Sequence, residues 1–486
     1  MRVLFVFPGR REFTEPEPLN LEVLAGTIPD CDIEIADMRF EKRSLRDIIS
    51  AFAPHIVATT AVTMCVYQAQ DILKTAKEID EGIFTVVGGS HASSWPSDFN
   101  LPYVDAIVIG MGEDSFKEIV HAVSAKKKLT GIEGIAIPGK DRLTYTKPRE
   151  INRNLSSFPF PRRDLTKKYH HQYRYSISKS PMAMISTSRG CPNRCSFCAI
   201  WKLMKKRYIT RTPESVVEEL ATIKQKVVRF ADGNTFGDIK RIHSLCDRIV
   251  ESGLKKRLMM DISTNIVVKN ADLIEKMRKT GLFAVVLGIE SVVDETLDSI
   301  GKNCTLNDHN EAINILHRNG IAIAGNFIMQ PDFEPSDFDR IEEYIIKKEI
   351  DLPVINILTP LPGTVLFEQV NDEILTDNYD YFDFRHLVLP AKIERNKWWK
   401  KYQKLSKKCM YRGFERFSTL PPIVYKPAIT AILWKSRNAH LLKKTGKPGT
   451  YLHDIVTSRK EDATPTPALF HQKRRVPFKP RPARSE

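Results

Sequence analysis

Three cysteines stand within eight residues of one another, at Cys191, Cys195 and Cys198, in a C-x3-C-x2-C spacing. Three thiolates can hold three corners of a cubane iron–sulfur cluster, and a fourth nearby cysteine would complete an electron-transfer site. No fourth cysteine is close in sequence, since the nearest ones before and after the motif are Cys65 and Cys246. An iron atom without a protein ligand would be open to a substrate or a cofactor.

A zinc site is the main alternative for the same cysteines. Structural zinc needs four ligands, usually arranged as two spaced pairs, and no second pair is present. A purely structural role as small buried residues fits poorly with the polar neighbours Arg189, Asn193 and Arg194. The pattern therefore favours a cluster with an open iron.

The cysteine spacing, Phe197 before the last cysteine and the preceding Ser188-Arg189-Gly190 resemble the radical S-adenosylmethionine (SAM) enzymes. The resemblance implies a 4Fe–4S cluster on the three cysteines, with the amino and carboxylate groups of SAM bound to its open iron. In that superfamily one electron cleaves SAM to a 5′-deoxyadenosyl radical, which abstracts hydrogen from an unactivated carbon. Phe197 is then expected beside SAM.

The elements that would position this motif alternate between strands and helices from Met184 onward. Strands are predicted at 183–186, 227–230, 259–262, 284–287, 321–327 and 354–358. Six such units predict a partial (β/α)6 barrel, the radical SAM fold, whose chemistry lies at the C-terminal ends of the strands.

Polar residues follow several of these strands. Asp232, Gly233 and Asn234 resemble the element that binds the amino group of SAM, although the same residues also favour a plain turn. Asn265 resembles the ribose-binding element, with a helix cap as the alternative. Glu290 lies in a Gly-Ile-Glu-Ser element, and a carboxylate at a barrel mouth needs a partner, for which SAM is the candidate. No catalytic residue is assigned.

The first 145 residues also alternate strands and helices. Strands are predicted at 3–7, 33–36, 56–60, 85–87, 106–109 and 134–137. Short apolar runs with intervening helices predict a parallel, doubly wound, Rossmann-like α/β sheet. Glycines in the turns that follow the strands let a large cofactor approach the backbone closely.

Three segments of this half, Pro18–Ala25, Val86–His91 and Ile109–Glu113, resemble the cobalamin-binding domains of cobalamin-dependent radical SAM enzymes. The resemblance implies cobalamin as a third cofactor. Its predicted contacts are the residues at two strand ends, namely Gly88, Gly89, Ser90, Gly110, Gly112 and Glu113. The Asp-x-His-x-x-Gly element that supplies an axial histidine is absent, so no histidine of that motif is expected on the cobalt.

Length and charge divide the chain further. With 486 residues, two or three domains are expected. The predicted parts are a cobalamin-binding domain at 1–145, a linker at 146–180, a barrel at 181–385, a helical region at 386–460 and a disordered basic tail at 461–486. From Ala391 onward there are 24 Lys and Arg against 6 Asp and Glu, whereas the whole chain carries +15. This basic C-terminal extension could dock on phosphate-bearing surfaces.

Location and partners follow from composition. No apolar stretch is long enough to cross a bilayer, no secretory signal is found, and eight scattered cysteines suit a reducing cytoplasm. The expected partners are a small or lipid-like substrate and an external electron donor of the flavodoxin or ferredoxin type. Peripheral membrane contact through the basic region is left open beside a solvated helical cap, and nucleic acid is not expected.

The combined patterns predict a cobalamin-dependent radical SAM methyltransferase acting on an unactivated carbon of a lipid-like or polycyclic substrate. A segment after the barrel resembles hopanoid C-3 methylases and makes a hopanoid-type substrate the first candidate. Its residues Tyr379, Tyr381 and His386 could face the substrate, with ordinary packing as the alternative for each. The alternative is an oxidative cyclase like the anaerobic enzyme of bacteriochlorophyll synthesis, which transfers no methyl group. An RNA methylthiotransferase is a weaker alternative, because the second cysteine cluster of those enzymes is absent.

Overall fold

The computed structural model describes residues 1–9, 14–175 and 180–417. Residues Met1–Ile429 form one compact unit, and a second unit, Thr430–Glu486, falls entirely beyond the described residues. The C-terminal part of the predicted helical region and the predicted basic tail therefore lie outside the described residues. Within the described part, no helix has the length and apolar character needed to cross a membrane. The predicted domain borders stay predictions.

The N-terminal part is built on a seven-stranded sheet. Its strands are β1 (Arg2–Phe7), β2 (Asp32–Asp37), β3 (Ile56–Thr60), β4 (Phe84–Gly88), β5 (Ala106–Val108), β6 (Ile135–Ile137) and β7 (Thr144–Tyr145). The strand order is β2-β1-β3-β4-β5-β6-β7, and the first five are parallel. The predicted strands are therefore present, with ends shifted by at most one residue.

The last two strands of this sheet are antiparallel, which the sequence pattern does not reveal. After β5 a helix leads away from the strand's C-terminal end, and residues 125–133 bring the chain back to that end. There the amide of Ile109 donates to the carbonyl of Gly134 at 2.9 Å. The three apolar residues of β6 are compatible with either strand direction. The direction of β6 is therefore decided by the loop that precedes it.

Helices cover both faces of the sheet, as a doubly wound fold requires. They are α1 (Leu19–Gly26), α2 (Leu45–Phe52), α3 (Val66–Ile79), α4 (Ser90–Ser94) and α5 (Glu113–Ser124). Each face of the sheet has its own apolar core, and successive residues of β1 contribute to opposite cores. Phe5 packs with Phe116 of α5, whereas Leu4 packs with Ile48 of α2. A strand buried on both faces needs apolar residues along its buried length, as β1 has from Val3 to Phe7.

The second part is a six-stranded parallel sheet, curved into an open barrel. Its strands, which pair in sequence order, are β8 (Met182–Ile185), β9 (Val227–Phe230), β10 (Arg257–Ile262), β11 (Leu282–Glu290), β12 (Ala322–Met329) and β13 (Leu352–Ile357). All adjacent pairs are parallel. This topology confirms the predicted partial (β/α)6 barrel.

Helices follow the barrel strands and form its outer layer. They are α6 (Ile200–Leu203), α7 (Pro213–Thr222), α8 (Ile239–Glu251), α9 (Thr264–Lys269), α10 (Ala271–Lys279), α11 (Asp294–Ser299), α12 (Leu306–Arg318), α13 (Pro335–Lys347) and α14 (Val365–Val370). Local signals explain where they begin: the Thr212 side chain caps α7 ahead of Pro213, and Thr305 with Asp308 forms a capping box on α12.

The C-terminal extension begins as a helix, α15 (Arg395–Phe417), that packs on the barrel. Trp398 is fully buried, and its indole N–H donates to the carbonyl of Gln330 at 3.1 Å. Lys401 pairs with Asp339 of α13 at 2.9 Å. The described part of the predicted basic region therefore covers the barrel, with part of its positive charge directed at acidic residues of α13.

Candidate active site

The three cysteines lie in the loop between β8 and α6, and neighbouring segments fix the backbone of that loop. The indole N–H of Trp201 donates to the carbonyl of Cys195 at 3.0 Å. The amide of Ser196 donates to Ile300 at 3.0 Å, and the carbonyl of Ser196 accepts from Leu366 at 2.9 Å. Contacts from three directions therefore hold the cysteines before any metal binds.

Gly190, which precedes the first cysteine, has a φ of +91°. A β-carbon at this position would overlap the carbonyl oxygen of Arg207. Both the left-handed backbone and the close approach therefore require glycine. The glycine of the motif lets the cysteine loop lie directly against the residues that precede the short strand Ile209–Thr210.

The donor set fits an iron–sulfur cluster better than a single ion. Thiolates on one tetrahedral zinc lie within about 4 Å of each other, since zinc–sulfur bonds are about 2.3 Å. Among the described residues, the three cysteines are not a group whose ligand atoms all lie within 4.8 Å. Burial raises the pKa of Cys195, and that of Cys198 to about 11, so metal binding must displace their protons.

Glu290, at the end of β11, forms a buried ion pair with Lys302 at 3.0 Å. Burial alone would lower the pKa of Lys302, but the Glu290 carboxylate and the nearby Cys195 raise it overall. A β-carbon on Gly288 would lie 2.5 Å from both charged groups, so the glycine makes room for them. The sequence does not indicate Lys302 as a site residue, because nothing in the local pattern links it to Glu290.

Asp232, predicted to meet the amino group of SAM, is directed at the segment that leads into the cysteine loop. Its carboxylate accepts from the amide and hydroxyl of Thr187, at 2.7 and 2.6 Å, and from the amide of Ser188 at 2.9 Å. Burial raises the pKa of Asp232, and these hydrogen bonds oppose that effect. The geometry gives Asp232 a supporting role, and its contact with SAM stays a prediction.

Residues beside Asp232 leave a donor available. The Oδ1 atom of Asn234 accepts from Phe236 at 3.1 Å, while its Nδ2 atom is buried with no protein partner. Gly233 lies against the cysteine loop, where an added β-carbon would be 3.3 Å from the carbonyl of Gly190. An unpaired amide at this position could donate to a carboxylate, so Asn234 is the better candidate of this turn for binding the methionine end of SAM.

Two further predicted SAM contacts lie at other strand ends. Asn265 is half-buried in the first turn of α9, and the hydroxyl of the neighbouring Ser263 is buried without a protein partner. Phe197 packs against an apolar cluster that contains Ile328 of β12 and Leu389. These positions agree with a site at the C-terminal ends of the barrel strands, while the contacts with SAM stay predictions.

The predicted cobalamin residues lie together at the C-terminal edge of the N-terminal sheet. Gly89 has a φ of +103°, and a β-carbon there would lie 2.6 Å from the carbonyl of Ala61. The hydroxyl of Ser93 donates to Gly89 at 2.8 Å and accepts from the amide of Gly110 at 2.9 Å, which ties the two glycine loops together. Gly110 is exposed, with a φ of +82° and nothing within 4 Å of an added β-carbon.

This edge of the sheet is open and lined by glycines, and a side chain at Gly110 would occupy the free space. The residues present therefore fit a large cofactor that lies against the backbone. Ser90 is exposed and Gly112 half-buried at the same edge. His91 cannot reach such a cofactor, because its ring is buried with Nε2 2.9 Å from Asp98 and Nδ1 3.1 Å from Thr63.

Glu113 connects the two candidate cofactor sites. It is buried at the start of α5 and forms an ion pair with Arg189, two residues before Cys191. Its second carboxylate oxygen, Oε2, is buried without a protein partner. The sequence predicts a cobalamin contact for Glu113 and a position beside the cysteines for Arg189, and it does not indicate that the two residues pair.

The segment after the barrel contacts the same region. The ring of Tyr379 lies 4.9 Å from that of His91 and 6.0 Å from that of Tyr67. Tyr381 is exposed and lies 5.0 Å from the ring of His386. Tyr379 therefore serves packing between the two parts, and Tyr381 is the exposed residue of the three, whereas the His386 side chain is 14% exposed and lies 2.9 Å from Asp383. Their contacts with a substrate stay predictions.

Comparisons with known proteins agree with this geometry. The sequence profile of the radical SAM superfamily matches residues 185–345, and that of the B12 binding domain matches residues 13–120. The solved radical SAM methyltransferase TsrM from Kitasatospora setae, which holds cobalamin and a 4Fe–4S cluster, has a TM-score of 0.63 and 19% identity, covering 76% of this chain and 74% of that chain.

Curated relatives extend over most of the chain. An uncharacterized methyltransferase of Pyrococcus horikoshii is 31% identical, over 78% of this chain and 85% of that protein. The hopanoid C-3 methylase of Methylococcus capsulatus is 27% identical, over 81% and 77% of the two chains. The anaerobic magnesium-protoporphyrin IX monomethyl ester cyclase of Rubrivivax gelatinosus is 28% identical, over 79% and 72%.

Proposed function

The chain belongs to the cobalamin-dependent radical SAM methyltransferase family, and we propose that it transfers a methyl group to an unactivated carbon of a polycyclic or lipid-like molecule. Its cofactors are a 4Fe–4S cluster, SAM and cobalamin. The observation that carries the proposal is the Glu113–Arg189 ion pair, which joins the glycine loops of the N-terminal sheet to the cysteine loop. Methyl transfer needs both cofactor sites to face one substrate.

The cofactors supply the difficult chemistry: a cluster electron, a carbon-centred radical derived from SAM, and the methyl group carried by cobalamin. The protein binds and orients them. Cys191, Cys195 and Cys198 would hold the cluster, and the ammonium of Lys302, paired with Glu290, interacts electrostatically with Cys195. Asn234 offers an unpaired amide donor to SAM. The buried surroundings of these groups exclude water, which would quench a reactive intermediate.

The substrate class rests on relatives and on the exposed ring of Tyr381. A hopanoid C-3 methylase is among the curated relatives, and a flat apolar ring system suits contact with Tyr381. We further propose an external one-electron donor of the flavodoxin or ferredoxin type, and a cytoplasmic location with peripheral membrane contact through the C-terminal basic region.

The second candidate is oxidative cyclisation without methyl transfer, which the 28% identity to a magnesium-protoporphyrin cyclase favours. Turnover with SAM carrying a deuterated methyl group distinguishes the two. The reconstituted chain is incubated under anaerobic conditions with a reductant and either a hopanoid or the porphyrin ester, and products are analysed by mass spectrometry.

A deuterated methyl group in the hopanoid supports the proposal. A dehydrogenated or cyclised porphyrin without label, formed together with 5′-deoxyadenosine, supports the cyclase instead. Cys195→Ala is the control, since it removes a cluster ligand and should abolish both outcomes. Steady release of 5′-deoxyadenosine, with no label in any lipid tested, would contradict the lipid-methylation proposal.

A further inference from the structure

A buried cluster of two glutamates and a histidine lies where the N-terminal part meets the linker and the first barrel strand. Glu17 and Glu22 flank the start of α1, and His170 belongs to the linker. Each offers one ligand atom, and these atoms all lie within 4.8 Å of one another. Neither the cluster site nor the cobalamin site described above uses these residues.

Each of the three side chains has one polar atom fixed by the protein. Glu17 Oε1 accepts from the amide of Met184 at 2.6 Å and from Arg163 at 3.2 Å. Glu22 Oε1 accepts from the hydroxyl of Thr166 at 2.5 Å. The Nε2 atom of His170 lies 3.3 Å from the hydroxyl of Thr166, and the ring also hydrogen-bonds to the backbone of Arg163. A metal-binding histidine is commonly oriented by a backbone carbonyl.

The second carboxylate oxygen of each glutamate is buried, and no described residue hydrogen-bonds to it. Glu17 and Glu22 are 4% and 0% exposed, and the Oε2 atom of each is buried with no hydrogen-bond donor. A buried carboxylate oxygen without a partner costs free energy, so native proteins rarely leave two together. A group that the described residues do not supply is expected between them.

The charges around the site point to a cation. Glu219 is buried between Arg163 and Arg211 and forms ion pairs with both. With Glu17 and Glu22 this makes three buried carboxylates against two guanidinium groups. Burial raises the pKa of Glu22 well above its usual range, and the adjacent Glu17 carboxylate adds to the effect, so the pair in its present form disfavours full ionisation.

We propose that Glu17, Glu22 and His170 bind one divalent transition-metal ion, with zinc as the first candidate. Two carboxylates and an imidazole are a common ligand set for such ions, with water completing the coordination. The ion would satisfy both unpaired oxygens at once. It would also clamp α1 to the linker that carries Arg163, and so hold the N-terminal part against the barrel.

Zinc binding by the reconstituted full-length chain tests the proposal. The cluster is assembled first, so that the three cysteines are occupied by iron. Zinc chloride is then added, the protein is desalted, and metals are counted by mass spectrometry. About one zinc per chain is expected, with X-ray absorption showing only nitrogen and oxygen ligands at about 2.0–2.2 Å. Sulfur ligands at about 2.3 Å would place the zinc on cysteines and overturn the proposal.

Variants locate the ion. Glu22→Gln and His170→Gln should each weaken zinc binding by about 100-fold or more, because loss of a ligand exceeds the effect of losing a residue that merely orients one. Glu219→Gln is the matched control: it removes a buried carboxylate from the same network but no proposed ligand, and should keep the zinc. Iron content verifies that each variant is folded.

Two results would overturn the site. The first is wild-type chain that keeps no zinc after desalting, which would mean that a proton on Glu22 balances the charge instead. The second is a Glu22→Gln variant that binds zinc as tightly as the wild type. Both are independent of methyl transfer, so they leave the proposed function untouched.

Discussion

Replacing Lys302 by methionine should destabilise the barrel strongly, because it leaves the Glu290 carboxylate buried without its counter-charge. Both side chains are about nine-tenths buried and lie 3.0 Å apart. Breaking a buried pair by removing one partner costs about 3–5 kcal/mol, most of it the desolvation of the charge that remains. Methionine keeps the volume of the aliphatic stem, so lost packing adds little.

A double-mutant cycle separates this effect from general damage. Glu290→Gln alone leaves the ammonium buried and should also cost several kcal/mol, whereas the double variant Lys302→Met/Glu290→Gln carries no unpaired charge and should recover about 1–3 kcal/mol relative to the sum of the two single changes. The free energy of unfolding is measured by urea denaturation, followed by tryptophan fluorescence. Strictly additive losses would refute the reasoning, since they would mean that water already solvates both groups.

Three further predictions concern positions around the site. Gly190→Ala should reduce bound iron to a small fraction of the wild-type content, measured by metal analysis, because its φ of +91° and the Arg207 carbonyl leave no room for a β-carbon; normal iron content would contradict this. Arg189→Met should weaken cobalamin binding in a spectrophotometric titration, since Glu113 then remains buried without its ion-pair partner, and unchanged affinity would remove Arg189 from that role. Burial lowers the pKa of His309 to about 4, so the unfolded chain binds a proton at this histidine before the folded chain does as pH falls. The free energy of unfolding should therefore drop by about 3 kcal/mol from pH 6.5 to 4. A variant His309→Asn should make the free energy of unfolding depend less on pH in denaturant titrations.

Much of the fold is predictable from the sequence because buried parallel strands are mostly apolar. The run at 56–60 is apolar or small throughout and matches β3, and 227–230 matches β9. The direction of β6 was not predictable, since strand polarity depends on the path of residues 125–133 and not on the composition of the strand. Strand borders follow local pattern, whereas strand direction is a tertiary property.

In the candidate site too, local features are predictable from the sequence and contacts between distant residues are not. The cysteine spacing identifies the cluster loop, because three ligands on one short loop are a local feature. The partners of the charged residues are not local: Glu113 and Arg189 are 76 residues apart, and Asp232 and Thr187 are 45 apart. The sequence therefore located Asp232 at a strand end, where a cofactor contact is expected, but could not show that Thr187 and Ser188 already occupy its carboxylate.

These buried pairs also explain how one chain can hold two cofactor sites in register. Arg189 belongs to the cysteine segment but pairs with the first residue of α5, and Arg163 of the linker contacts Glu17 on one side and Glu219 of α7 on the other. The buried groups of these pairs are the guanidinium of Arg163 and the carboxylate of Glu113. Each loses much of its stabilisation if its partner moves, because its charge is then unpaired in a medium of low dielectric constant. Relative motion of the two parts is thus opposed at two separate places, and the distance between the glycine loops and the cysteine loop is held by charge pairing as well as by apolar contact.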